Sequence, residues 1–192
     1  MKTLLILILL SITSLVHAER QDSYFDKAKK NCDLNDDGGC FNLGLKYEYG
    51  IGITQNHFKA VESYKKACDL NNSFGCFNIG IMYEDAIGTT QNHFKAVESY
   101  KKACDLNNSF GCFNLGNIYS KGTGVKQDNF KAVELYQKAC NLNDANGCNN
   151  LGFMYAKGIG IKKDKQQALK YYRKACDLKS ELGCKGYAIL KK

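Results

Sequence analysis

Several features that mark other protein classes are missing from this sequence of 192 residues. It carries a net charge of +8, but its Lys and Arg residues form no dense block, so specific nucleic-acid binding is not indicated. After residue 18 no apolar segment is long enough to span a membrane, and no strand-like alternation of apolar and polar residues remains. We therefore expect an all-α protein with no membrane span and no nucleic-acid partner.

The first residues have the pattern of a secretory signal peptide. Lys2 gives a positive start, an apolar run extends from Leu4 to Val16, and Ala18 offers a small side chain before a cleavage site. The apolar stretch is too short for a membrane helix, and no Cys follows Ala18 as a lipid anchor would require. The pattern predicts a signal peptide at 1–18 and export to the periplasm or the cell exterior.

The predicted export and the regular spacing together indicate the role of the ten cysteines. In an oxidising compartment, an even number of cysteines predicts a disulfide framework. The chain is built from internal repeats, because residues 54–78 are identical to residues 90–114 and a Gly precedes each cysteine of one set. Two sets of cysteines both step by 36 residues: Cys32, Cys68, Cys104, Cys140, Cys176 and Cys40, Cys76, Cys112, Cys148, Cys184.

Each repeat is predicted to begin with a helix A. In the segment from Cys40 to Tyr47, Leu43, Gly44 and Tyr47 lie on one face at helical spacing. A Gly inside a helix costs about 1 kcal/mol relative to Ala, so its recurrence predicts the close approach of another helix backbone. The Gly recurs at Gly44, Gly80, Gly116 and Gly152.

A Gly-containing turn then leads to a helix B. Ala60, Tyr64 and Ala67 form its apolar face, which we expect Phe58 and Val61 to widen. Residues suited to cap the start of this helix recur one period apart, at Asn56, Asn92, Asp128 and Asp164.

Neither helix can bury its apolar face alone, whereas stacked pairs can, which predicts an α/α solenoid or superhelix. We expect it to be monomeric and stapled by disulfides. The expected organisation after the signal peptide is a capping helix at 19–39, four repeats at 40–75, 76–111, 112–147 and 148–183, and a capping segment at 184–192.

Two disulfide pairings fit the cysteine spacing. One joins each cysteine at the end of helix B to the cysteine eight residues later, and the other joins Cys40 to Cys68 and their equivalents within a hairpin. The first is favoured because it uses all ten cysteines, whereas the second leaves Cys32 and Cys184 unpaired. The eight-residue spacing does not match that of metal ligands, and no metal or cofactor is expected.

The repeat pattern resembles a known family. Leu115-Gly116-x-x-Tyr119, then Gly122-x-Gly124-Val125, then Ala132-x-x-x-Tyr136-x-Lys138-Ala139 is similar to Sel1-like repeats. With the cysteines added, the pattern resembles the secreted Helicobacter cysteine-rich proteins, over essentially the whole chain after residue 18. The resemblance implies a superhelix related to tetratricopeptide arrays, with pairs Cys32–Cys40, Cys68–Cys76, Cys104–Cys112, Cys140–Cys148 and Cys176–Cys184.

The same resemblance implies two kinds of function. Members of the family are commonly assigned as penicillin-binding proteins with weak β-lactamase activity. They are also regarded as exported interaction proteins that engage cell-wall fragments or host factors. The expected ligand is therefore a β-lactam, a peptidoglycan-derived molecule, or a protein or peptide.

The residues themselves give weak catalytic candidates. Serine β-lactamases use Ser-x-x-Lys, and Ser63–Lys66 and Ser99–Lys102 match that string. The accompanying Ser-Asp-Asn and Lys-Thr-Gly elements are missing, so we expect both serines to be exposed helix positions. A zinc enzyme needs clustered histidines, whereas His57 and His93 lie one repeat apart and are expected at the surface.

A ladder of asparagines suggests a binding surface instead. One helix A position repeats as Asn42, Asn78, Asn114 and Asn150. Side-chain amides both donate and accept hydrogen bonds, so a ladder facing the concave groove can hold an extended peptide, with Lys46 nearby for acidic groups. The alternative is that these amides brace neighbouring helices. The equivalent tyrosines Tyr47, Tyr83, Tyr119 and Tyr155 are expected in the core.

Overall fold

The computed structural model describes residues 24–192; the predicted signal peptide and its cleavage site lie outside them. Every regular element in this range is a helix, and none of these helices is long and apolar enough to cross a membrane. After α1 at 24–33 come α2 (Asp37–Tyr49), α3 (His57–Asp69), α4 (Ser73–Asp85), α5 (His93–Asp105), α6 (Ser109–Lys121), α7 (Asn129–Asn141), α8 (Ala145–Lys157), α9 (Lys165–Asp177) and α10 (Glu181–Lys191).

These helices alternate as predicted, with α2, α4, α6, α8 and α10 as helices A and α3, α5, α7 and α9 as helices B. The all-α solenoid is confirmed for this range. The helices A contact one another along the stack, α2 with α4, α4 with α6 and α8 with α10, more than successive helices B do. This arrangement places the helices A on the inner side of the curve.

Side-chain caps fix where each helix begins. The predicted caps of helix B are confirmed, since Asn56 Oδ1 accepts from the backbone N–H of Lys59 and its equivalents do likewise. Helices A begin three residues before the cysteine at which we expected them. Their caps, which the sequence analysis missed, are Asp36, Asn72, Asn108, Asp144 and Ser180.

The recurrent Gly of helix A faces a tyrosine ring, not a helix backbone as expected. A Cβ added at Gly44 would lie 2.5 Å from Tyr64 Cδ1, and one at Gly80 would lie 2.6 Å from Tyr100 Cε1. Tyr64 and Tyr100 are fully buried. The missing side chain therefore makes room for the largest residue of the helix B core.

A second set of glycines brings successive repeats together. A Cβ at Gly75 would lie 2.7 Å from Ala67 Cβ and 3.0 Å from Cys68 N, at the end of the preceding helix B. At this contact Cys68 is bonded to Cys76, with 4.4 Å between their Cα atoms. The same bond joins Cys32–Cys40, Cys104–Cys112, Cys140–Cys148 and Cys176–Cys184, so no cysteine is free in the described chain.

The expectation that Phe58 widens the buried face of helix B is wrong. Phe58 is 73% exposed, because two residues along a helix turn the side chain by about 200° from the direction of Ala60. Its equivalents Phe94 and Phe130 are 66% and 63% exposed.

The expectation that the two histidines lie at the surface is also wrong. His57 and His93 are half-buried rather than on the surface, because the turn of the following repeat packs on each. Gly88 lies against the backbone of His57, and Gly124 lies against the side chain of His93.

Replacing Gly80 by Ala tests the Gly–Tyr contact. We expect Gly80→Ala to lower the free energy of unfolding by about 2 kcal/mol, since the new methyl group overlaps a buried ring despite the better helix propensity of Ala. Urea denaturation followed by circular dichroism measures the change. Gly38→Ala is the matched control, because its Cβ meets nothing closer than 3.5 Å; equal losses in both variants would contradict the assignment.

Removing one disulfide tests the staple. The bonded cysteines 104 and 112 are eight residues apart, and the chain-entropy model gives about 2.5 kcal/mol for a loop of this size. We therefore expect Cys104→Ala/Cys112→Ala to lose about that much stability in urea denaturation under oxidising conditions. The parent and the variant should approach each other in stability when both are fully reduced, and a persistent gap would assign the loss to packing.

Candidate functional site

A polar network runs along the helices A in the first two repeats. The Tyr64 hydroxyl donates to Glu48 Oε2 at 2.5 Å, and the Tyr100 hydroxyl donates to Glu84 Oε2 at 2.7 Å. Burial, and then the neighbouring carboxylate, raise the pKa of both tyrosines well above its usual value. These hydroxyls stay protonated and serve as fixed donors.

Three of the predicted asparagines lie in this network. Asn78 and Asn114 are half-buried, and their amides lie beside the hydroxyls of Tyr64 and Tyr100, where they partly offset the rise in pKa. Asn150 is placed in the same way at Tyr136. The structure therefore gives these three a bracing contact with the preceding helix B.

The third repeat departs from this pattern at two positions on successive turns of helix A, and the fourth, with Phe153 and Ala156, departs at the same two. Asn117 replaces Ile81, and Ser120 replaces Glu84, one period apart. With no carboxylate present, the Tyr136 hydroxyl donates to Asn117 Oδ1 at 2.8 Å, and Asn150 Nδ2 lies 3.4 Å from the same oxygen. Burial again raises the pKa of Tyr136.

Both replacements line one open cavity of about 460 Å³ between the third and fourth repeats. Four side-chain amides and two hydroxyl groups face it, and Phe153 and Met154 provide an apolar wall. Lys121 lies at the rim, where it is exposed. The polar groups are Asn117, Gln127, Asn129, Asn150, Ser120 and Tyr136. We call this the amide cavity.

The fourth predicted asparagine lies at the other end of the chain. Asn42 is exposed and lines a cavity of about 350 Å³ between α1 and α2. Lys27 and Lys46 line the same cavity, and the Lys46 ammonium lies 5.9 Å from the centre of the Tyr24 ring. This cavity is more basic than the amide cavity and has fewer amides.

The Ser-x-x-Lys candidates do not form an activated pair. Ser63 is buried and Ser99 is half-buried, so the expectation that both are exposed is wrong. Their hydroxyls donate to the backbone carbonyls of Lys59 and Lys95 one helical turn earlier, at 2.8 and 2.7 Å. Each hydroxyl therefore donates its hydrogen bond to a backbone carbonyl and not to a general base, as an activated nucleophile would.

The lysines of these candidates lie at the ends of helices B. Lys66 Nζ donates to the backbone oxygen of Cys32 at 2.7 Å, and Lys174 Nζ donates to that of Cys140 at 2.7 Å. Lys66 thus links the end of α3 to the end of α1, and Lys174 links the end of α9 to that of α7. Lys102 is the equivalent residue of α5.

No group of three or more His, Cys, Asp or Glu residues within 24–192 is arranged to hold a metal ion. His57 Nδ1 is buried without a hydrogen-bond partner there, beneath the turn that contains Gly88. Its equivalent His93 belongs to a different repeat.

The family is decided by a comparison with known repeats. The family model described as Sel1 repeat matches residues 38–72, 73–108, 109–144 and 145–180. The chain belongs to the Sel1 repeat family. Each match begins at or next to the first residue of a helix A.

Solved structures of Sel1 repeat proteins share the fold. A Sel1 repeat protein from Oxalobacter formigenes is 29% identical with a TM-score of 0.76, over 82% of this chain and 64% of that one. The protective antigen c5321 of uropathogenic Escherichia coli is 29% identical with a TM-score of 0.77, over 81% of this chain and 33% of that one. The chain thus spans less than two thirds of either protein.

Cysteine rich protein B (HcpB) of Helicobacter pylori is 43% identical with a TM-score of 0.54, over 66% of this chain and 90% of HcpB. The resemblance to Sel1-like repeats and to the Helicobacter cysteine-rich proteins is therefore confirmed. A comparison with curated proteins finds no match. The five disulfides indicate an oxidising environment outside the cytosol.

Substituting both serines tests the weak catalytic candidates. We expect Ser63→Ala/Ser99→Ala to leave any hydrolysis of a chromogenic β-lactam unchanged, because both hydroxyls are engaged by backbone carbonyls. Initial rates for the oxidised parent and the variant are compared after circular dichroism has shown equal helix content. A rate that co-purifies with the parent and disappears in the folded variant would contradict this expectation.

Proposed function

We propose that this protein is an exported, monomeric recognition module that binds a peptide-bearing ligand in the amide cavity. The observation that supports the proposal is the double departure of the third repeat. Asn117 and Ser120 break the pattern of the first two repeats, and both line the same cavity.

The chemistry of the cavity fits a peptide main chain. A peptide presents N–H donors and C=O acceptors in turn, and a side-chain amide satisfies either kind. The Tyr136 hydroxyl is already committed to Asn117, so that amide is held in one orientation. The apolar wall of Phe153 and Met154 can cover a small side chain such as that of alanine.

The rim of the cavity favours a ligand with a free carboxylate. Lys121 is exposed at the rim, and a charge-assisted hydrogen bond to an ammonium is stronger than a neutral one. A peptidoglycan stem peptide combines amides with such a carboxylate. A β-lactam is itself a mimic of a peptide. The chemistry of the cavity therefore also fits the ligands that the family resemblance implies.

The scaffold supports recognition by holding the cavity walls in place. The cavity lies between two repeats that the Cys140–Cys148 bond joins. Because ordering a site before binding reduces the entropy lost on binding, this staple favours affinity. Export through a signal peptide at 1–18, the repeats at 40–75, 76–111, 112–147 and 148–183, and the caps at 19–39 and 184–192 belong to the same proposal.

The second candidate is a protein-interaction scaffold in the periplasm or outside the cell. The inner face supports it, since the amides of Asn78, Asn114 and Asn150 recur there at the repeat spacing. In this case the ligand is an extended segment of a partner protein, and several repeats share the binding. Hydrolysis of β-lactams has no comparable support, because Ser63 and Lys66 are both engaged elsewhere.

Calorimetry with a defined peptide tests the proposal. The probe is an N-acetylated peptide that ends in D-alanyl-D-alanine with a free carboxylate. Because a hydrogen bond contributes about 1 kcal/mol, we expect Asn117→Ala/Asn150→Ala to weaken its binding by about tenfold or more. We also expect the C-terminal amide of the same peptide to bind more weakly than the acid.

Asn146→Ala is the matched control, because Asn146 is exposed at the start of the same helix as Asn150. It should bind the peptide as the parent does. Undetectable binding by the folded parent, or equal affinity of the parent and the double variant, would refute the proposal. Binding that Asn78→Ala/Asn114→Ala weakens, while Asn117→Ala/Asn150→Ala does not, would favour the interaction scaffold.

A further inference from the structure

The turns between helices A and B form one continuous edge of the solenoid. These turns cover 50–56, 86–92, 122–128 and 158–164. The last three each pack on the start of the preceding helix B: Gly88 against His57, Gly124 against His93, and Gly160 against Asn129. We call this the loop edge; it lies one helix length, about 20 Å, from the edge that carries the disulfides.

Positive charge is concentrated at one end of the loop edge. The first two turns contain no Lys, and the helices before them end in Glu48-Tyr49 and Glu84-Asp85. The last two turns and their flanks carry six lysines, all exposed: Lys121, Lys126, Lys157, Lys162, Lys163 and Lys165.

Few acidic groups oppose these lysines. Asp128 and Asp164 lie in the same turns and cap the helices that follow, and Asp128 also lies 3.7 Å from the Lys131 ammonium. Two carboxylates therefore face six lysines in these turns and their flanks. Residues 121–192 contain 15 Lys and Arg residues against 6 Asp and Glu. The net positive charge of the chain therefore lies in this C-terminal part.

Exposed aromatic side chains lie along the loop edge, and two of the three, Phe94 and Phe130, follow the residues on which the Lys-bearing turns pack. Phe58, Phe94 and Phe130 are the second residues of their helices B, directly after the turns, and are 73%, 66% and 63% exposed. An exposed Lys follows each of them in the sequence, at Lys59, Lys95 and Lys131. Their recurrence places one exposed ring in each of three successive repeats along this edge.

We propose that the loop edge docks on an anionic lipid surface. Phenylalanine rings gain free energy when they leave water for the interface of a bilayer, and lysines beside them are attracted to anionic headgroups. The loop edge contains open recesses of about 580 and 630 Å³, lined by turn residues that include Thr89 and Lys126. The choice of a lipid surface therefore rests on the positive charge and the exposed rings.

Docking in this way leaves the disulfide edge accessible, because the disulfide contacts lie at the opposite ends of the helices. The amide cavity borders the docked edge, since Gln127 and Ile159 of the turns line it. Lys121 belongs both to this edge and to the rim of the amide cavity. The inference can still be tested apart from the peptide-binding proposal, because Lys162, Lys163, Phe94 and Phe130 do not line that cavity.

Flotation with vesicles tests the inference. The oxidised protein is mixed with vesicles of phosphatidylcholine alone or of phosphatidylcholine with phosphatidylglycerol. We expect flotation with the mixed vesicles and little with the neutral ones, and a decrease as salt is raised. We expect Lys162→Glu/Lys163→Glu to lower the partition coefficient by more than about tenfold, and Phe94→Ser/Phe130→Ser to lower it by about tenfold.

Lys179→Glu/Lys185→Glu makes the same change of charge away from the loop edge and should float as the parent does. Lys179 lies in the turn before α10 and Lys185 in its first half, and both are exposed. No flotation of the parent, or equal losses in the control and the loop-edge variants, would overturn the inference. Binding of soluble poly-glutamate that needs the lysines but not the phenylalanines, with no flotation, would overturn it in favour of an acidic protein partner.

Discussion

The structure depends on the contact between the end of each helix B and the start of the next helix A. A Gly with no side chain lets the two backbones approach, as at Gly75 on Ala67. The Cys68–Cys76 bond then holds them. Since stacked repeats contact only their neighbours, this contact fixes the relation of one repeat to the next. This contact therefore also determines the geometry of the inner face, of the turns and of both cavities.

Repetition made the fold predictable. The 36-residue period, the helix B caps and the Gly-x-Gly turns all follow from local rules that each repeat restates. What the sequence could not show was which side chain meets which. The Gly at position 44 indicated a close approach, but only the packing identifies the Tyr64 ring as the neighbour. The exposure of Phe58 was within reach, because helical geometry already places it away from Ala60.

The candidate site was predicted less well, for a physical reason. Asn78, Asn114 and Asn150 were found because they recur, yet recurrence marks shared packing as readily as shared binding, and these amides contact buried tyrosine hydroxyls. The amide cavity arises where the pattern fails, at Asn117 and Ser120. In a chain of near-copies, a search for departures from the period would have found it.

The cross-links of this solenoid have a bearing on how such chains grow. Every disulfide, cap and turn contact repeats with the period of the sequence, as the identical segments 54–78 and 90–114 show. Copying one period therefore inserts a unit that arrives with a bonding partner on each side and leaves no thiol unmatched. The array can therefore lengthen by whole repeats without a change in its core packing. Differences between proteins of this kind then arise from substitutions within single repeats.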